Sequence, residues 1–168
     1  MTGPSDIARR VPLIIGVGNE FRGDDAAGLL VSREIRRTVK AGVQVVESPG
    51  GIDELLELWD GRDLVYVVDA FQSGGSPGTW KRLQVGDRPL PAITSGTSTH
   101  GATVASAVAL GQVLDRMPKS LVIFGIEAGH FEPGRDTSEE VLMGVHEVAV
   151  ALSHELDPTG RSENAKGG

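Results

Sequence analysis

Residues 12–39 read PLIIGVGNEFRGDDAAGLLVSREIRRTV, and a change of period inside this stretch decides the fold. Its first part, residues 12–17, is almost continuously apolar and rich in β-branched side chains, the pattern of a strand covered on both faces. From residue 26 the period lengthens: Ala27, Leu30, Val31, Ile35 and Val39 recur at helical spacing, while Arg33, Arg36, Arg37 and Lys40 take the other positions. Two further apolar runs, 43–46 and 64–68, read as strands of the same kind. Between them Pro49-Gly50-Gly51 turns the chain into a helical segment at 52–59. The order strand, helix, strand, helix, strand predicts a mainly parallel, twisted sheet with right-handed crossovers.

Beyond this core, residues 72–78 form a glycine-rich turn, and 79–85 read as an added strand, antiparallel because its connection is short. An alanine-rich helix is predicted over 101–114, a buried strand over 121–126 and a last helix over 138–156. On that helix Val141, Val145, Val148, Leu152 and Leu156 share one face. The predicted fold class is α/β: a three-layer sandwich of about five strands with helices on both faces. A single domain is expected over 1–156, with a disordered tail over 157–168, where Pro, Gly, Ser and charge leave little apolar surface to offset ordering entropy.

Composition narrows the chemistry. A chain of 168 residues buries roughly two thirds of its unfolded surface, enough for one core. Cysteine is absent, which removes disulfides, thiolate ligands and cysteine nucleophiles and leaves His, Asp, Glu and backbone oxygen to hold any metal. A formal charge of −7 disfavours nucleic acid and anionic membrane surfaces, which attract concentrated Lys and Arg. The first ten residues lack the apolar stretch of a signal peptide, and no run approaches membrane-spanning length. A cytoplasmic protein is expected; its oligomeric state is left open, with a monomer favoured.

The segment from Gly16 to Gly28 joins the first strand to the first helix, at the edge where doubly wound sheets carry ligands. A dinucleotide fingerprint fails there. It needs a third glycine where Phe21 stands, and Glu20, Asp24 and Asp25 place negative charge where a pyrophosphate must approach. Asp24 is explained by capping of the helix start; Asp25 stands open between a cap and a functional carboxylate. Asp69 ends the run Leu64-Val65-Tyr66-Val67-Val68. A carboxylate there is expensive unless paired or bound to something, the alternative being a turn-initiating Asp satisfied by loop amides. His100 closes the polar run Thr94-Ser95-Gly96-Thr97-Ser98-Thr99 at the start of the third main helix, where an imidazole serves either as a ligand or as a cap. Two carboxylates and one imidazole suit a divalent ion such as Zn, Mn or Ni.

Other constellations are incomplete. His146-Glu147 has Val150 where a zinc-protease helix needs its second histidine, so His146 is read as solvated. Residues 96–100 begin like a nucleophile elbow, but His100 replaces its closing glycine. His130 is a second candidate for the same edge, with a surface-loop role as the ordinary alternative.

In order along the chain, Gly16-x-Gly18-Asn19, Asp24-Asp25, Gly28, Val68-Asp69-Ala70 and Thr99-His100 resemble the maturation proteases of nickel-iron hydrogenases over residues 13–152. The resemblance implies an endopeptidase that removes a C-terminal extension from the nickel-loaded hydrogenase large-subunit precursor. The nickel carried by that partner serves as the recognition signal. By motif position, the family's metal-associated and catalytic residues fall on Asp25, Asp69 and His100, and a further acidic position falls near Glu47. The first of the three is Glu or Asp within the family, so Asp25 is the shorter form. Whether the protease holds a divalent metal of its own is left open, as is a carboxylate acting directly as general base. A non-enzymatic metallocentre chaperone and a nucleotide-binding module are the competing readings.

Overall fold

Leu13, Ile14, Ile15 and Val17 are inaccessible to solvent, as expected of a central strand. In the computed structural model, residues 5–39, 41–86 and 99–157 are described, without the side chains of 99–102. The element order is α1 (Asp6–Arg10), β1 (Leu13–Val17), a 3-10 turn (Gly23–Ala26), α2 (Ala27–Thr38), β2 (Gln44–Ser48), α3 (Ile52–Trp59), β3 (Leu64–Phe71), β4 (Trp80–Val85), α4 (Thr99–Leu114), β5 (Ser120–Glu127) and α5 (Glu139–Leu156). Five strands form one sheet in the order β2-β1-β3-β5-β4. All pairings are parallel except that of β4 with β5.

Alternate residues of the strands feed two separate cores. Ile14, Tyr66, Val68, Val122 and Phe124 pack with Val31 and Ile35 of α2 and Val145, Val148 and Leu152 of α5. Leu13, Ile15, Val17, Val65, Val67 and Leu121 pack with Leu55, Leu56 and Trp59 of α3 and Val104, Ala107 and Val108 of α4. The three-layer α/β expectation therefore holds, with α2 and α5 on one face and α3 and α4 on the other.

Three details differ from the sequence reading. The run expected over 43–46 begins one residue later and ends two residues later as β2, an edge strand with only partial cover because it has a neighbour on one side alone. β3 extends through Asp69 to Phe71, so its pairing with β5 continues past the acidic residue that the sequence suggested as its end. A short α1, capped by the Ser5 hydroxyl accepting from the Ala8 amide, precedes β1. Its five residues are too few to show a helical period. Residues 158–168 of the expected tail lie outside the described residues. Among the described residues no helix is long and apolar enough to cross a membrane.

The glycines of the first motif have a packing role. A Cβ on Gly28 would collide with the carbonyl oxygens of Val17 and Val68, and one on Gly16 would collide with the Gly28 carbonyl and lie 2.7 Å from Ser32 Oγ. The start of α2 therefore rests directly on the carboxyl ends of β1 and β3. That close approach accounts for glycine at these positions.

Candidate functional site

The carboxyl edge of the parallel strands gathers the buried acids of the described residues, Asp24, Asp25, Asp69 and Glu127. Asp25 lies in the 3-10 turn, one helical turn before Gly28, and is 1% exposed. Its amide donates to the Arg22 carbonyl over 3.1 Å, and its carbonyl accepts from the Asn19 amide over 3.2 Å. Those two bonds close the loop after β1. Asp69 follows Val68, whose carbonyl the Gly28 backbone touches, and the 3-10 turn packs on β3. Asp25 and Asp69 thus belong to one small region of the edge. Asp69 is 5% exposed, and its Oδ1 accepts the Ala70 amide over 2.8 Å, which fixes the plane of the carboxylate.

His100 stands in the first turn of α4, which begins at Thr99. This helix packs against β3 and leads through a short connection into β5. Its sixteen residues span about 24 Å, close to the length of the eight-residue β5. The helix that precedes a parallel strand runs back along the sheet, so its first turn reaches the same carboxyl edge. The side chain of His100 and the polar run 94–98 lie outside the described residues. Among the described residues no three His, Asp or Glu side chains group as a metal cluster. Of the expected set, Asp25 and Asp69 are buried carboxylates of this edge, and His100 is described by its backbone alone.

Asp24 is not the cap that the sequence suggested. Neither the 3-10 turn nor α2 has a side-chain cap. Instead its fully buried carboxylate accepts from the amides of Gly129 (2.8 Å), His130 (3.2 Å) and Ser138 (2.7 Å) and from the Ser138 hydroxyl (2.8 Å). Ser138 is the N-cap residue of α5, so Asp24 serves the start of a helix more than a hundred residues away. Burial pushes its carboxyl up, but the bonds from Ser138, Gly129 and His130 together hold it below its ordinary 3.8. The Asp24 amide also donates to the His130 carbonyl. Asp24 therefore clamps the β5–α5 loop to the turn that carries Asp25.

His130 is more enclosed than a surface-loop residue. Its side chain is 18% exposed, Nε2 lies 3.9 Å from Asp24 Oδ1, and its ring covers Gly23, where φ is +57° and a Cβ would strike the imidazole. His146 lies on α5, its side chain 70% exposed and its Nδ1 2.7 Å from Oε1 of the partly buried Glu34.

The sequence reading missed Glu127. This last residue of β5 is 2% exposed and accepts from the amides of Ser73, Gly74 and Gly75 and from the Ser73 hydroxyl at 2.7–3.1 Å. Consecutive amides wrapped around an anion form a nest, here filled by the protein's own carboxylate. The available signal was the one that singled out Asp69: an acid closing a buried apolar run. At the opposite end of the edge, Glu47 accepts from Arg33 Nε and Nη2 and from Arg36 Nη1 at 2.9–3.1 Å. Hydrogen bonding by Arg33, aided by the charges of both arginines, keeps its carboxyl below the ordinary 4.5.

Comparison with known proteins identifies relatives of this chain. A family model described as HycI, hydrogenase maturation protease, matches residues 29–155. The hydrogenase expression/formation protein HupD of Thiocapsa roseopersicina is 26% identical over 117 residues, which cover 68% of this chain and 53% of HupD. The match thus spans about half the length of that relative. The [NiFe] hydrogenase maturation protease HybD from Thermococcus kodakarensis is 26% identical with a TM-score of 0.68, covering 86% of this chain and 97% of that one. An endopeptidase from Escherichia coli shares the fold with a TM-score of 0.74, at 23% identity over 84% of this chain and 88% of its own.

Proposed function

The chain belongs to the hydrogenase maturation protease family, and from that premise we propose that it is an endopeptidase acting on a nickel-iron hydrogenase large-subunit precursor. It removes the precursor's C-terminal extension after nickel insertion, in the cytoplasm, and works as a monomer. The observation that carries this reading is a pair of buried carboxylates, Asp25 and Asp69, in one region of the sheet's carboxyl edge, to which the first turn of α4 also extends.

The nickel is part of the substrate. Asp25, Asp69 and His100 dock it, since two carboxylates and an imidazole suit a borderline divalent ion. The same donors suit a resident divalent ion, which would polarise the scissile carbonyl when bound. The protein's own contribution to hydrolysis is a carboxylate positioned as general base. An attacking water gives up a proton to it, the water oxygen bonds to the peptide carbonyl carbon, and the C–N bond breaks as the proton passes to the leaving amine. Asp69 is held for that role by the Ala70 amide. Asp25 is held by a turn whose neighbour, Asp24, is bonded into the β5–α5 loop.

The test is incubation with nickel-loaded and nickel-free precursor, followed by intact-mass measurement of both. The loaded form is expected to lose the mass of its extension while the nickel-free form does not. A stable complex whose precursor keeps its full mass would instead identify a metallocentre chaperone.

A further inference from the structure

The chain carries four Phe, two Trp and one Tyr, and all but one of them are buried or half-buried. The exception is Phe21, 73% exposed, four residues before Asp25. Single exposed apolar side chains are common and need no explanation. Ile7, Val113 and Met143, which are exposed to a similar degree, sit on helices α1, α4 and α5 and fit that description. Phe21 differs in its backbone and its location.

The main chain of the turn that carries Phe21 is held by hydrogen bonds. Its amide donates to Asn19 Oδ1 over 2.9 Å, and its carbonyl accepts from the Gly134 amide over 2.8 Å. The Arg22 amide donates to the Asn19 carbonyl, and the Asn19 amide donates to the Asp25 carbonyl. An aromatic ring on a pre-ordered backbone loses little freedom when a partner covers it, which is the property of an interface anchor. Because Asp25 shares these bonds, the main chain that presents the ring stands at a set position relative to the acidic edge.

We propose that Phe21 is a specificity-determining residue: it receives an apolar side chain of the large-subunit precursor beside the scissile segment and registers that segment against Asp25 and Asp69. This rests on the peptidase reading above. The ring acts in binding rather than in bond breaking, so its loss is felt in affinity. Burying a phenyl ring against a partner is worth about tenfold to hundredfold in affinity.

The experiment measures the Kd of the nickel-loaded precursor, and KM and kcat for its cleavage, for the wild type, Phe21→Ala and Phe21→Leu. Thermal melting of each variant checks that the fold is intact, and the backbone bonds of residue 21 remain possible in both. Phe21→Ala is expected to raise Kd and KM by about tenfold or more, leaving kcat within twofold, and Phe21→Leu is expected to recover most of the loss. Wild-type affinity in Phe21→Ala, or a loss confined to kcat, would overturn the proposal. If the wild type binds the precursor without cutting it, the peptidase reading fails alone, and the Kd comparison still decides the role of Phe21.

Discussion

At the β5 end of the sheet's carboxyl edge, Asp24 and Glu127 are buried and bonded mainly to backbone amides; at the β2 end, Glu47 is partly exposed and bonded only to guanidinium groups. The first arrangement fixes main chain to main chain. The second ties together long side chains, Arg33 and Arg36, that are 40% and 45% exposed. A buried ionised carboxylate that loses its donors, or donors that lose their carboxylate, leave polar groups without water. A surface pair that breaks is simply rehydrated. The same residue type therefore acts as a rigid fastening at one end of the edge and as an adjustable tie at the other.

The largest expected effect on stability is at the buried clamp. Asp24→Ala leaves the amides of Gly129, His130 and Ser138 without their acceptor and is expected to cost about 3 kcal/mol, read as a lower urea midpoint at unchanged slope. It also frees the turn that holds Asp25, so cleavage should fall in the molecules that remain folded. Little loss of stability there would remove the distinction between the two ends.

The second effect is on pH dependence. The native Asp24 carboxyl lies below its ordinary 3.8, so the folded form binds its proton less readily than the unfolded one. Its contribution is therefore fully present above the unfolded value and is lost as pH falls through the lower native value. Urea midpoints measured from neutral to acid pH should show the gap between wild type and Asp24→Asn widest near neutrality and closing below about 3.8.

The smallest effect is expected at the β2 end. Arg33→Ala should change stability by less than about 1 kcal/mol, and the difference should shrink further in 1 M salt, where screening acts over about 3 Å. A loss comparable to that of Asp24→Ala would show that the two ends are held alike.

Much of this design was legible in the sequence. The switch from an apolar run to a helical period in residues 12–39 placed β1 and α2, and glycine and acid together marked the edge between them. Asp69 stood out because a carboxylate at the end of an apolar run is physically conspicuous. Glu127 carried the same signal, but its explanation, the amides of 73–75, lies some fifty residues away and depends on how β3, β4 and β5 pair. Asp24 was misread for a related reason: an Asp before a helix resembles a local cap, and nothing local reveals that its donors come from residues 129–138. The extent of β3 was missed because Asp is unfavourable in strands, and pairing with Gly125 overrides that preference here.

Asp69 is proposed to take part in peptide hydrolysis at this edge, and Asp24 to hold the edge in shape. The most direct test is the rate at which the nickel-loaded precursor loses its extension with wild type and with Asp69→Asn, each shown by melting to be folded. Asp69→Asn is expected to lower that rate by about a hundredfold or more, with thermal stability close to that of the wild type. Trimming at the wild-type rate by a folded Asp69→Asn protein would contradict the role of Asp69.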